Sequence, residues 1–258
     1  WLMWKWFGLD STGYHIAAVL LHALGACLVW ALFRTMNLRG AWLAGLIFAV
    51  HPLAVESVAW VSELKNTLSL PFFLAAGCFF VRFEDTKRRV FYWAALGFFL
   101  AAMLAKSSVV MFPVVMLLYV WWRRDRIAWR DLWNAAPFFL VSLLLGLVTL
   151  HFQHSRAIGN EPIPIGGLDS RFAIAGMAIF FYFSKILWPA LLLPIYPQWA
   201  ANPPEFSQFL AWPVLVGVLG VFWIRRKTWG RHALMGVGFY LITLLPVLGF
   251  VAMSYMRV

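Results

Sequence analysis

Residues 51–69 read HPLAVESVAWVSELKNTLS, a polar, acid-bearing connection between long apolar runs. It carries His51, Glu56, Glu63 and Lys65 where its flanks carry hydrocarbon. The run before it, Ala41 to Val50, stops at His51-Pro52, because proline has no amide donor and restricts the residue preceding it. The run after it stays apolar from about Asn66 to Phe83. Pro52 is placed to open a new short helix to about Leu64, which would set Glu56, Trp60 and Glu63 on one face at helical spacing. Ionisable groups at the edge of apolar spans cost free energy whenever they enter a bilayer, so their presence here points to a use.

The same pattern extends in both directions. Of 258 residues, 63% are hydrophobic and only 12% charged, an apolar share far above that of an ordinary soluble domain. The apolar runs are continuous rather than alternating, so they cross as helices and not as strands of a barrel. The expected fold is an all-α polytopic membrane protein, a single membrane domain over residues 1–258 with about eight spans plus short re-entrant or interfacial helices. The first span runs from about Tyr14 to Phe33. Val90 to Trp121 is too long for one crossing and is interrupted only by Lys106-Ser107-Ser108, which predicts two short antiparallel spans meeting at the lysine. Further spans are expected at Leu132 to Leu150, Phe206 to Trp223 and His232 to Val251. The opening WLMWKW reads as an interfacial aromatic segment, and its abrupt start suggests a fragment of a longer protein.

The formal charge of +11 resides in clusters between spans. Arg34 with Arg39, Arg82 with Lys87 to Arg89, Arg123 to Arg130, and Arg225 to Arg231 would all be cytoplasmic by the positive-inside rule, so no nucleic-acid partner is expected. Alternation then places His51 to Lys65, Lys106 and the Gly- and Pro-rich loop His151 to Ser170 together on the opposite face. Parity fails once. Arg171 to Pro197 is 27 residues, too few for two crossings of about 20 each, yet Gln198 to Ser207 must also lie outside. Pro189, Pro194 and Pro197 predict either a pair of short tilted crossings or a re-entrant element buried against protein. Cys27 and Cys78 fall inside apolar runs and read as buried thiols.

No P-loop, nucleophile elbow, HExxH or paired-cysteine motif is present. The candidates for chemistry are the polar residues gathered on the outer face. Glu56 lies among Val55, Val58, Ala59 and Trp60, surroundings that suit a tunable general base; an ion pair with Lys65 or Arg257 that locks helix ends reads equally well. His51 heads the same block and is grouped with Glu56 as catalytic. Glu63 and Lys65 read as solvated loop charges and rank as secondary. Lys106, isolated among apolar residues, suits a phosphate at headgroup depth, although a snorkelling lysine has the same signature. Arg156, in HFQHSRAIGNE, could hold a phosphate oxygen or a sugar hydroxyl bidentately, or simply solvate a loop. His151 and His154 lack a third metal ligand, so no metal site is assigned and His154 is secondary. His22 and His232 read as packed or interfacial.

HPLAVESVAWVSELKNTLS, LAKSSVVMFPVVMLL, TLHFQHSRAIGNE, YFSKILWPALLLPIYPQW and LPVLGFVAMSYMRV, in this order, resemble the membrane half of bacterial proteins that join a multispan domain to tetratricopeptide repeats. These are similar to the transmembrane and tetratricopeptide-repeat O-mannosyltransferases, and so to the C-type glycosyltransferase superfamily. The resemblance covers nearly the whole chain. It implies inverting transfer of a sugar from a polyprenyl-phosphate donor to a protein Ser/Thr or glycan hydroxyl, at a site facing the periplasm from a bacterial inner membrane. Glu56 matches the acid of the family's HPxxxE block, and Lys106 matches a lysine that looks placed for the lipid phosphate; on chemical grounds Arg156 or Arg257 could add cationic support to that phosphate.

Two departures from the family pattern matter. The family's first span and its acidic pair, the main catalytic carboxylate among them, would precede Trp1, and the repeats would follow Val258. Ser107 stands where many relatives have an acid. Glu56 is therefore expected to assist a carboxylate from outside this chain, and the chain alone to be inactive. No resident cofactor is implied, a divalent cation stays open, and the lipid-linked sugar is a substrate. The alternative is a non-enzymatic membrane scaffold or subunit of a larger complex. A transporter would want inverted repeats or charges deep within spans, and neither is visible.

Overall fold

The computed structural model describes residues 2–153, 166–193, 196–197 and 199–250. It forms two compact units, Trp1–Val110 and Met111–Val258, taken here in turn.

The first unit contains α1 (Leu2–Phe7), α2 (Ser11–Thr35), α3 (Ala41–Val50), α4 (Val55–Ala59), α5 (Leu64–Thr86) and α6 (Arg89–Ala105). Asp10 caps α2 by accepting the Thr12 amide at 2.9 Å. The helix is apolar on every side, as a bilayer-crossing helix must be, and Ile16, Val19, Leu20 and Leu24 remain exposed on its surface. His22 joins α2 to α3 through its Nε2, 3.1 Å from the Ala49 carbonyl, and its ring lies 5.1 Å from that of Phe48. This is the packed role expected of it. Cys27 is exposed rather than buried and Cys78 is half-buried, both as free thiols. At the heart of the unit α5 packs on α6 through the fully buried Ala76, Ala95, Phe99 and Ala102. Small residues let two backbones approach where lipid tails offer no competing hydrophobic drive.

Between α3 and α5 the chain departs from the continuous helix expected over residues 52–64. A 3-10 turn at Pro52–Ala54 leads into α4, and a second 3-10 turn at Val61–Glu63 leads into α5. Trp60 separates them with an extended backbone, φ −93° and ψ 120°. Glu56, Trp60 and Glu63 therefore do not share one helical face. The stretch carries β-branched Val55, Val58 and Val61, which are poor helix formers, in a segment too short to be helical without support.

The second unit contains α7 (Phe112–Arg124), α8 (Trp129–Phe152), α9 (Leu168–Leu187), α10 (Ala211–Ile224) and α11 (Gly230–Leu244). Asp131 fastens the α7–α8 turn, accepting from Arg124 Nη2 at 2.7 Å and from the Ala128 amide at 2.8 Å. Ala175, Ala178 and Ile179 of α9 form a buried core with Leu248, and Trp212, Leu215, Tyr240 and Leu244 pack around it. The Tyr240 hydroxyl donates to the Ile179 carbonyl at 2.6 Å.

Among the described residues six stretches are long and apolar enough to cross a bilayer, and a seventh arises if the pair Ala41–Val50 and Pro52–Ala59, bent by 53°, counts as one span. The chain is thus an all-α polytopic integral membrane protein. The expected break at Lys106 is present, but its two halves are short: α6 has 17 residues and α7 has 13.

The parity problem resolves within the second unit. α9 is one helix of 20 residues, long enough for a crossing, so the pair of short crossings over Arg171 to Pro197 is excluded. Its first turns meet the start of α10, where Trp212 Nε1 donates to the Phe172 carbonyl at 2.9 Å and the two rings stack at 4.2 Å. Both helices therefore begin at the same end, and the described residues from Trp188 to Glu205 return along α9 without forming a helix. Trp199 lies against Phe181 midway, with ring centroids 5.4 Å apart. Asn202 arrives beside Gly166, whose φ of +69° no side-chain-bearing residue adopts easily.

Non-helical backbone at such depth is tolerated only where protein satisfies its polar groups. Five prolines between Trp188 and Glu205 remove amide donors outright. Carbonyls are met by side chains: Lys185 Nζ donates to Ala190 O at 2.7 Å, Tyr196 Oη to Leu191 O at 3.4 Å, and Gln208 Nε2 to Ala200 O at 2.9 Å.

Candidate functional site

The first unit brings Glu63, Lys65, Asn66 and Lys106 together where α5 begins and α6 ends. Asn66 is the link. Its Nδ2 donates to Glu63 Oε2, and its Oδ1 accepts from Lys106 Nζ. Only one orientation of the amide satisfies both neighbours, because a carboxylate needs a donor and an ammonium needs an acceptor. Lys65 Nζ lies 3.5 Å from Glu63 Oε1, a largely exposed pair of small energetic weight. Glu63 and Lys65, read from sequence as solvated loop charges, are thus joined to Lys106 through a residue that the sequence reading passed over. The signal for Asn66 was an amide at the head of an apolar span, but its partner lies 40 residues away, beyond any local periodicity.

The position of Lys106 is set one turn deeper. Its own amide donates to the Ala102 carbonyl at 2.9 Å, and the buried Ser69 hydroxyl donates to that same oxygen at 3.0 Å. Ser69 follows Asn66 by three residues and so lies on the same side of α5. The Ser69–Ala102 bond thereby fixes the α5–α6 register at which the Lys106 ammonium meets the Asn66 amide. Ser69→Ala is expected to cost about 1 kcal/mol, since the carbonyl keeps its helical donor, and to lower the unfolding temperature in detergent by about 2–4 °C. An unchanged temperature would show that the register is set elsewhere.

Lys106 leaves the helix in an extended conformation, φ −156° and ψ 124°, and is half-buried. Burial lowers its pKa below the usual lysine range; Glu63 opposes that shift and the like charge of Lys65 adds to it. No carboxylate touches the ammonium among the described residues, since Glu63 reaches it only through the neutral amide. The cation therefore keeps its charge and two N–H groups for an anionic ligand.

The HPxxVE block takes two different parts. His51 Nδ1 accepts the Leu53 amide at 3.3 Å and so caps the turn that launches α4. Glu56 sits in the first turn of α4, and its carboxylate is exposed rather than enclosed by Val55, Val58, Ala59 and Trp60. The ion pair with Lys65 is not formed, because Lys65 turns to Glu63. His154, Arg156 and Arg257 lie outside the described residues.

Residues 1–151 match the family described as dolichyl-phosphate-mannose-protein mannosyltransferase. The match covers more than half of the chain and includes every described residue of the Glu56–Lys106 region; the chain belongs to this family. It is similar to the protein O-mannosyl-transferase Tmtc1 of Drosophila melanogaster, 35% identical over 71 residues, which is 27% of this chain and 8% of that protein. It is also similar to the protein O-mannosyl-transferase tmtc2 of Xenopus laevis, 38% identical over 69 residues, 26% of this chain and 8% of the relative. The aligned stretch thus spans less than a tenth of the length of either relative. No solved structure matches the chain.

Proposed function

We propose that the complete protein transfers a sugar, mannose foremost, from a polyprenyl-phosphate donor to a hydroxyl of a protein or glycan acceptor, at the non-cytoplasmic face of a bacterial inner membrane. The observation that carries this reading is the half-buried Lys106 ammonium, held by a neutral amide and, among the described residues, free of direct carboxylate contact. The acceptor oxygen attacks C1 of the sugar, the C1–O bond to phosphate breaks, and polyprenyl phosphate departs with the bonding electrons. Lys106 stabilises the charge that grows on the departing phosphate. Glu56 takes the acceptor proton. His51 holds the α4 entry in place.

The reading is tested by incubating membranes containing the complete protein with radiolabelled polyprenyl-phosphate mannose and a Ser/Thr-rich acceptor peptide. Label in the peptide supports it. Donor binding without transfer would favour a scaffold.

The depressed pKa of Lys106 makes the mechanism pH-sensitive. Catalysis needs the ammonium, so the alkaline limb of the rate profile should fall below the ordinary lysine range, and Glu63→Gln, which removes the carboxylate that raises this pKa, should move the limb lower still. Stability should run the other way. Between the depressed folded-state pKa and the unfolded value the unfolded chain binds more protons, so this residue's contribution to stability rises with pH over that window. A limb unmoved by Glu63→Gln would remove Lys106 from the titrating step.

A further inference from the structure

The second unit carries a basic turn for which the proposed transfer has no use. α10 ends at Ile224 and α11 starts at Gly230, and both belong to stretches long enough to cross a bilayer, so Arg225 to Trp229 sits at headgroup depth. The turn is rigid. The Arg225 carbonyl accepts from the Thr228 amide at 2.9 Å, the Thr228 hydroxyl at 3.0 Å and the Gly230 amide at 3.1 Å. A Cβ on Gly230 would lie 2.3 Å from the Phe222 carbonyl oxygen, so only glycine permits this winding. Arg226 is committed to the scaffold: its guanidinium lies 4.7 Å from the Trp223 ring and donates to the Trp223 carbonyl at 3.2 Å.

The arrangement presents Arg225 and Lys227 outward, both exposed. Arg231 stands one residue beyond the turn, and its Nε–H is shielded from solvent and meets no acceptor among the described residues. A second basic turn abuts this one. Trp121 of α7 stacks on Trp223 with centroids 6.0 Å apart and planes within 6°, and Trp122 Nε1 donates to His232 Nδ1 at 3.2 Å. These contacts bring the arginine-rich end of α7 to the same place. Of the two acids there, Asp131 is occupied by Arg124 and the Ala128 amide, which leaves Asp125 against the basic residues.

We propose that the α10–α11 turn binds the headgroup of an anionic phospholipid, with Arg225, Lys227 and Arg231 holding its phosphodiester. Depth selects a lipid over a soluble anion, because the turn is flanked by spans and by the exposed Trp223 and Trp229, residues suited to the membrane interface. Basic groups at the ends of neighbouring spans recognise such headgroups, and the exposed Arg225 and Lys227 supply donors that a phosphate oxygen can reach.

The test uses the complete protein, exchanged in detergent into an equimolar mixture of phosphatidylglycerol and phosphatidylcholine, with retained lipid read by native mass spectrometry. The wild type should retain phosphatidylglycerol selectively. R225Q/K227Q/R231Q should bind it roughly 10- to 100-fold more weakly, whereas R34Q/R39Q/R88Q, with the same loss of charge in the first unit, should not. Equal losses in both triple variants, or no loss in the first, overturn the proposal. So does displacement of the lipid by millimolar inorganic phosphate, which would make this a site for a soluble anion. If the triple variant does not fold, Lys227→Gln alone, at an exposed position, should weaken retention about fivefold, and an unchanged value overturns the proposal.

Discussion

Alanine at Lys106 is expected to slow sugar transfer by the complete protein roughly 10²- to 10³-fold, the cost of removing one preorganised group from a developing oxyanion. kcat and kcat/KM should fall together, because charge builds on the phosphate mainly as the C1–O bond breaks. The ammonium also donates to Asn66, so part of the loss could reflect a disturbed α5–α6 contact. Lys106→Arg separates the two: it keeps the charge and a donor for Asn66, and should recover part of the rate while restoring the unfolding temperature. Full activity in a folded Lys106→Ala protein, assayed at equal amounts in membranes, would remove the lysine from the mechanism.

Glu56→Gln should reduce transfer about 10²-fold, at the low end for a general base. Unlike Lys106, Glu56 makes no hydrogen bond or ion pair among the described residues, and its side chain is exposed. Stability should therefore stay within about 0.5 kcal/mol of wild type, as for a surface substitution away from special features. A rate loss at constant stability assigns the residue to chemistry. Unchanged transfer would assign it to the membrane surface, and with it would go the proposed role of the HPxxVE block beyond the capping by His51.

What could be read from sequence was whatever composition and local chemistry dictate. Continuous apolar runs marked the spans to within a few residues of the helix ends, while His51-Pro52 marked the end of α3 and the isolated Lys106 a break between helices at the residues where the structure places them. The shortage of residues between Arg171 and Pro197 exposed a problem whose answer was out of reach. A chain returning without helix is held by Lys185, Tyr196 and Gln208 on distant carbonyls, and such pairings leave no periodic trace. The break at Trp60 was missed because helical spacing alone was projected through three valines. Asn66 was missed because its importance comes from two partners at once, Glu63 nearby and Lys106 far along the chain.

The shared Ala102 carbonyl has a practical consequence for redesign. The lysine takes its coordinates from a hydroxyl within the helix pair, not from the turns that carry His51 and Glu56. Residues 52–62 can therefore be exchanged for those of a relative while the Ser69–Ala102 bond keeps Lys106 in place. On the proposed reading, altered acceptor choice is sought in that cassette, with Asn66, Ser69 and Lys106 left untouched.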